Sequence, residues 1–224
     1  MSYRAIVLKR SCPVVFFLGL IAAQAAFGQL PTSPIKFVNV DAITTSFVPT
    51  PTITANMPAE SSGEAKQWLK VEFRYGTTDV VTADRPWVDA VEFKIWIEGL
   101  DPYAKNTAQA SGKGVAVALT GSVTYVNIAA GKDLYGVFYV HPSTLARYSK
   151  HDYTDFDQKF NIHIEAYVDG VMVDYFDKHK DPQGLDWYKA LQPVPNLVCR
   201  QDQCLFLVAN PDRYPAIKLP AAAQ

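Results

Sequence analysis

The chain has 224 residues, with 21 Lys and Arg, 22 Asp and Glu, a formal charge of −1 and a hydrophobic fraction of 49 %. A chain so close to neutral gives no electrostatic reason to bind nucleic acid or an anionic membrane. Its length fits one large domain, or two small ones at most.

The first 28 residues have the layout of a secretory signal peptide. Three basic residues come first, an apolar run follows over 13–26, and small residues come next. The alternative is an uncleaved anchor, but the apolar run is shorter than the about 20 residues of a usual spanning helix. We predict cleavage before Gln29 and a single mature domain over residues 29–224. That domain carries 18 basic and 22 acidic residues, a formal charge of −4.

Short strands are predicted along the first two thirds of the mature chain. Alternating apolar residues place them at 69–75, 91–98, 115–119 and 123–127. Two more strands are predicted at 35–43, where adjacent Phe37 and Val38 leave the buried face open, and at 134–140, after a turn. Prolines at 49 and 51 restrict the segment 47–57 to an edge or a crossover. The segment 141–150 begins with His-Pro-Ser-Thr, which predicts one or two helical turns between the layers of a sandwich.

The clearest local pattern predicts a β-hairpin over 160–177. Apolar residues occupy every second position up to Val168, and His163 and Glu165 lie on the face predicted to meet solvent. Asp169-Gly170 favours a type I′ turn, whose twist suits a two-residue hairpin. On the return strand the buried face is predicted to continue through Val171, Val173 and Tyr175.

A short helix is predicted at 184–191. The structure predicted for the C-terminal segment depends on the two cysteines of the mature chain. Cys199 and Cys204 lie in a segment that favours two short strands joined by residues 200–203. In an exported protein such a pair favours a structural disulfide across the hairpin. A zinc site would need two further ligands nearby, and a redox-active pair normally has the C-x-x-C spacing.

Counted together, the predicted elements are roughly eight to ten short strands with very little helix. That pattern is typical of an all-β sandwich with short helical connections and a disulfide-closed C-terminal hairpin. No repeat of 20–50 residues supports a propeller or a solenoid. Proline breaks and irregular loops disfavour a transmembrane barrel.

The sequence shows no catalytic motif, so we predict neither an enzyme nor a bound cofactor or metal. The four histidines, at 141, 151, 163 and 179, lack the spacing of a zinc site. A loop calcium ion remains an alternative near Asp152, Asp155 and Asp157, although the residues lack the register of a calcium-binding loop. No nucleophile comes with an adjacent base and orienting acid.

Aromatic residues favour a recognition function instead. Several fall at turns or on polar faces of predicted strands, and aromatic side chains are frequent in protein interfaces and in sugar-binding sites. Trp96, Trp187 and Tyr188 are the candidate surface contacts. The alternative is that such side chains close the open ends of the sandwich.

The C-terminal stretch LQPVPNLVCRQDQCLFLVANPDRYPAIKLP (residues 191–220) resembles immunoglobulin-like envelope proteins of gut bacteria encoded with type IV pilus assembly components. The resemblance implies an immunoglobulin-like sandwich, export to the periplasm or the cell surface, association with the outer membrane, and a role near pili. The first hypothesis is therefore a non-enzymatic binding or scaffold protein that contacts envelope proteins in pilus assembly or adhesion. The alternative is a glycan-binding module that recognises host or mucus sugars through exposed aromatic residues.

Overall fold

Two packed β-sheets and one short helix make up the described part of the chain. The computed structural model describes residues 33–38, 41–51, 66–79, 81–104, 114–149, 161–178, 186–208 and 212–219. All of them belong to one compact unit, Thr32–Gln224. The predicted signal peptide and the three aspartates of the possible calcium loop lie outside the described residues. No helix in the described ranges is both long and apolar enough to cross a membrane.

Eleven strands and one α-helix lie in the described ranges. In chain order they are β1 (Ile35–Phe37), β2 (Ile43–Pro49), β3 (Gln67–Thr77), β4 (Trp87–Asp101), β5 (Val115–Ala129), β6 (Leu134–Val140), α1 (Pro142–Tyr148), β7 (Ile162–Val168), β8 (Val171–Lys178), β9 (Gln192–Val194), β10 (Val198–Cys199) and β11 (Ala216–Ile217). Three short 3-10 helices follow β8, at Trp187–Ala190, Gln201–Gln203 and Leu205–Val208.

Sheet 1 contains β1, β2, β3, β6 and β10, and sheet 2 contains the other six strands. In sheet 1, β1 and β2 both pair with β3, which pairs with β6, and β6 pairs with β10. In sheet 2 the order is β5-β4-β7-β8, with β9 and β11 both on the free side of β5. Helix α1 leads from sheet 1 to sheet 2, as predicted. The all-β sandwich is thereby confirmed.

The core lies between the two sheets and is built from the alternating apolar residues that predicted the strands. Phe73 and Tyr75 of β3 and Phe93 of β4 are 0 % exposed. The Phe93 ring centre lies 4.7 Å from that of Phe73 and 4.9 Å from that of Tyr75. Burying one such side chain contributes about 1.5–3 kcal/mol.

Gly136 of β6 lets an aromatic ring cross the strand. A Cβ atom built at this position would lie 2.0 Å from Cζ of Phe73, far inside van der Waals contact. The glycine is thus required by the packing of Phe73 and not by its own backbone conformation.

The predicted hairpin forms, and its turn has the predicted conformation. Asp169 and Gly170 have φ of 50° and 78°, as a type I′ turn requires. On the return strand, Val173 packs against the core, as predicted. The prediction was wrong for Tyr175, because a register shift between Ala166 and Tyr167 pairs Tyr175 with Glu165 on the outer face. Val171 and Tyr175 are 59 % and 42 % exposed.

The predicted C-terminal hairpin was also wrong. β10 pairs with β6 instead, and the residues after it form two 3-10 helices. The side-chain oxygen of Gln203 accepts a hydrogen bond from the Arg200 N–H at 3.1 Å, which stabilises a tight turn rather than a strand. Phe206 then stacks on Tyr139, with ring centres 4.4 Å apart and planes 2° apart.

The predicted disulfide is not present in the structure, where Cys199 and Cys204 are both free thiols. The tight turn directs the Cys204 thiol toward main-chain oxygens, and it donates to the carbonyls of Arg200 and Gln201 at 3.5 and 3.3 Å. Burial raises the pKa of Cys204 to about 11 and also raises that of Cys199.

The Asp-Arg-Tyr sequence of the C-terminal stretch anchors the last described segment to sheet 1. Arg213 donates to both carboxylate oxygens of Glu72, at 2.9 Å each, and the Tyr214 hydroxyl donates to Glu72 Oε1 at 2.6 Å. Burial favours a higher pKa for Glu72, but hydrogen bonds from Arg213, Tyr214 and Lys70 outweigh it and lower the pKa to about 2. The chain then continues into β11 on sheet 2, so this segment ties the two sheets together.

Candidate functional site

The outer face of sheet 2 contains a cleft of about 420 Å³ that includes two of the three predicted contact residues. Strands β4 and β7 form its floor, and the segment around the first 3-10 helix forms one wall. The side chains that matter for its chemistry are Trp96, Glu165, Tyr167, Met172, Tyr188 and Lys189.

His163 and Glu165 lie under this wall and are buried, although the sequence predicted them on a solvent-facing strand face. They are 2 % and 5 % exposed. Tyr188, from the 3-10 helix, stacks on His163 with ring centres 3.9 Å apart and planes 16° apart. A strand's alternation reports which side a residue faces, but not that another segment covers that side.

A buried polar network fixes this wall to the sheet. The hydroxyls of Tyr167 and Tyr188 donate to the two oxygens of Glu165, and the second of these bonds is 2.6 Å long. His163 Nδ1 lies 2.6 Å from Asp177 Oδ1, and its Nε2 lies 3.2 Å from Glu165 Oε1. Each ring nitrogen of His163 therefore faces a carboxylate.

The network keeps Glu165 ionised. Burial acts to raise the pKa of Glu165, but the hydrogen bonds from Tyr167, Tyr188 and His163 outweigh it, so the net shift is downward. Burial together with the bond to Glu165 raises the pKa of Tyr167 to about 12 and also raises that of Tyr188. Both tyrosines therefore stay protonated as donors across the physiological range.

This arrangement suits a structural role better than catalysis. The imidazole of His163 is enclosed by two carboxylates and the Tyr188 ring, with no serine or cysteine among its contacts in the described residues. Within the same residues, no group of three or more His, Cys, Asp or Glu side chains is arranged to hold a metal ion. The network holds the 3-10 helix against β7.

The structure corrects two of the three predicted surface contacts. Trp187 and Tyr188 are only 7 % and 6 % exposed. Tyr188 stacks on His163 of the sheet, and Trp187 lies edge-on to Tyr188 with ring centres 5.9 Å apart. Trp96 is half-buried and lies against the Tyr188 ring, with centres 4.8 Å apart. Of the three, Trp96 and Tyr188 line the cleft, and Trp187 does not.

Sheet 2 also has an exposed apolar surface that the sequence interpretation missed. Val171, Met172 and Tyr175 of β8, here called the hairpin strip, are 59 %, 48 % and 42 % exposed. Met172 also lines the cleft, and Met172 and Tyr175 pair with Tyr167 and Glu165 on this outer face, whereas Val171 pairs with Val168 on the opposite face. The available signal was the run Val-Met-Val at 171–173, which places apolar residues on both faces of the strand.

Strand β8 differs from the strands at the other sheet edges. It is eight residues long and contains no proline. By contrast, β2 ends at Pro49, β9 contains Pro193, and β10 and β11 are two residues long. Short edge strands and edge prolines prevent unwanted pairing with other chains, and β8 has neither; its protection is a register shift and the charged residues Asp174, Asp177 and Lys178.

Comparisons with known proteins place this architecture in a wider group. A protein-family model matches residues 32–220, and the family is one of pilus-associated extracellular proteins. A crystal structure of a protein from Akkermansia muciniphila matches with a TM-score of 0.65 and 18 % sequence identity, covering 84 % of this chain and 94 % of that chain. At this identity the likeness shows a shared fold. No curated protein sequence matches the chain.

Proposed function

Since the chain belongs to the family matched over residues 32–220, whose members are pilus-associated extracellular proteins, we propose that it is a non-enzymatic binding or scaffold protein. It acts in the periplasm or at the cell surface, associated with the outer membrane, as an accessory to type IV pilus-like assembly or adhesion. Its domain is an immunoglobulin-like sandwich, and its partners are other proteins of the envelope.

The observation that carries this proposal is the hairpin strip. Met172 and Tyr175 are exposed together on the outer face of the edge strand β8, where they pair with Tyr167 and Glu165, and Val171 is exposed on the opposite face beside Val168. Contiguous exposed apolar surface of this kind marks protein interaction sites in soluble proteins. Aromatic residues and methionine, both present here, are enriched in such interfaces.

The cleft beside the strip extends the proposed interface. Its aromatic wall is held rigid by the Glu165 network, so binding orders few additional side chains there. A surface that is preorganised in this way loses less conformational entropy when a partner binds. In this proposal the strip makes the main apolar contact with the partner, and the cleft receives a single side chain of the partner.

The test is affinity capture from envelope extracts with the mature chain and two variants. The first variant, the strip variant, carries Met172→Ser and Tyr175→Ser, which remove the two strip residues of the outer face. The matched control carries Leu205→Ser and Leu207→Ser, which remove two side chains of similar exposure, 47 % and 55 %, from a different surface. We expect the wild type and the control to retain the same proteins, and the strip variant to lose them.

A glycan array with the same three proteins tests the alternative hypothesis. Burial of Trp187 removes one of the rings that stacking on a sugar would use. Glycan binding that survives in the strip variant but is lost in Trp96→Ala would contradict the proposal and favour a sugar-binding module. Equal capture by the wild type and the strip variant would contradict it as well.

A further inference from the structure

A second surface, at the turn end of the hairpin, contains the most exposed tryptophan of the described residues. Trp87, at the start of β4, is 51 % exposed, whereas Trp68 and Trp187 are 6 % and 7 % exposed. It lines a groove of about 260 Å³ with Arg85, Asp89, Val168 and Asp169 among the other walls. We call this the Trp87 groove.

The Trp87 ring has no cation over it among the described residues, unlike the tyrosines of the neighbouring face. Lys94 Nζ lies 4.0 Å from the centre of the Tyr167 ring, and Lys189 Nζ lies 5.5 Å from that of Tyr188. Those rings already contact cations of their own chain. An indole ring is the best aromatic partner for a cation, so an unpaired exposed one is available to a partner's cation.

The charges of the groove favour a cation as well. Arg85 lies 3.9 Å from Asp89 and offsets its charge. Asp169 forms no ion pair with another described residue, and the turn fixes its position at φ 50°. The groove therefore has a formal charge of −1, carried by Asp169, which lines the same groove as Trp87.

We propose that the Trp87 groove receives a lysine or arginine side chain of the protein that binds the hairpin strip. This inference rests on the proposed function. Val168 and Asp169 of the groove precede Val171 of the strip by a few residues, so one partner can contact both surfaces. The cation would lie against Trp87 and pair with Asp169, while the strip supplies apolar contact. An anionic side chain or an acidic sugar would be repelled by Asp169.

The experiment is an NMR titration that follows the indole N–H of Trp87 in the mature protein. The probes are a glycine-flanked peptide with one lysine, acetyl-Gly-Gly-Lys-Gly-Gly-amide, and analogues with norleucine or glutamate in place of the lysine. We expect a saturable shift with the lysine peptide, which weakens as sodium chloride is raised, and none with the two analogues.

Two variants and one control locate the binding. Trp87→Ala and Asp169→Asn should each weaken binding of the lysine peptide, the first by about tenfold or more, as for an aromatic anchor residue. Because Trp87→Ala lacks the indole, its titration is followed by the backbone N–H signals of Val168 and Gly170, which the wild type shares. Tyr103→Ala, which removes a 77 % exposed aromatic residue elsewhere, should leave binding unchanged. Thermal unfolding of each variant checks that the fold is intact.

Three results would overturn the inference. They are equal binding of the norleucine peptide, unchanged binding in Asp169→Asn, and a Trp87 shift with N-acetylglucosamine but none with the lysine peptide, which would indicate a sugar subsite. A different result would refute the proposed function and leave the inference about the groove intact. If the strip variant keeps its captured proteins while the lysine peptide still shifts Trp87, the assignment of the strip is refuted and the groove still binds cations.

Discussion

Glu72→Gln should destabilise the protein strongly at neutral pH, because Glu72 is the acceptor that anchors the C-terminal segment. The carboxylate accepts hydrogen bonds from Arg213, Tyr214 and Lys70, and its side chain is 14 % exposed. Its pKa is about 2 in the folded protein, against 4.5 for the unperturbed group. The difference of 2.5 corresponds to about 3 kcal/mol at about 1.36 kcal/mol for each pKa unit.

Solvent reduces this figure, since Arg213 is 43 % exposed and its charge is partly screened. We therefore expect Glu72→Gln to lower the free energy of unfolding by roughly 2–3 kcal/mol at pH 7. The folded-state pKa of Glu72 is depressed, so its stabilisation is complete above about pH 5 and is lost as the pH falls toward 2. Roughly half should remain at pH 3 and very little at pH 2.

Urea denaturation followed by tryptophan fluorescence measures the difference between wild type and Glu72→Gln at pH 7, 3 and 2. The control is Glu92→Gln, which removes a more exposed carboxylate 3.6 Å from Lys94 and should cost about 0.5 kcal/mol or less. A difference below 1 kcal/mol at pH 7, or one of equal size at pH 7 and pH 2, would refute the reasoning.

Three further outcomes follow from packing and hydrogen bonding. Tyr188→Phe removes the donor to ionised Glu165 and should cost about 2 kcal/mol in urea denaturation; a neutral result would mean that the bond is dispensable. Gly136→Ala forces a methyl group against the Phe73 ring and should lower the midpoint of thermal unfolding by several degrees, a cost of about 1–3 kcal/mol. Cys204, with a pKa of about 11, should react slowly with iodoacetamide at pH 7 until urea unfolds the chain; rapid labelling of the folded protein would contradict its burial.

The strands were predictable because their alternation depends only on which side of the chain meets the core. In β3 and β4 the same residues that alternate in the sequence are the fully buried ones. The turn at Asp169-Gly170 was equally predictable, since few dipeptides accept positive φ at both positions. These features are local, and local chemistry determines them.

The errors arose where distant segments meet. Glu165 and His163 were assigned to solvent, and only the three-dimensional fold brings Tyr188 across to cover them. The residues around Cys204 have strand-like composition, but Phe206 stacks on Tyr139, more than 60 residues earlier in the chain, and the segment becomes helical. Tertiary packing outweighs the weak local preference of such short segments.

The candidate site includes residues whose position follows from the local sequence pattern and others whose position depends on the folded structure. Trp96 was correctly placed on the outer side of β4, because alternation alone fixes its side. Tyr175 of the hairpin strip was missed because a single register shift moves it to the outer face, and an extra residue in a ladder leaves no clear mark in the sequence. The Trp87 groove was missed because its walls come from separate parts of the chain.

The central claim is that the hairpin strip is where this protein binds an envelope protein, and cross-linking in living cells tests it most directly. A photo-reactive phenylalanine derivative would replace Val171, which is 59 % exposed, in one strain and Tyr103, which is 77 % exposed, in another. The account predicts that light produces a discrete cross-linked protein from position 171 and none from position 103. Equal products from both positions, or none from 171, would contradict it.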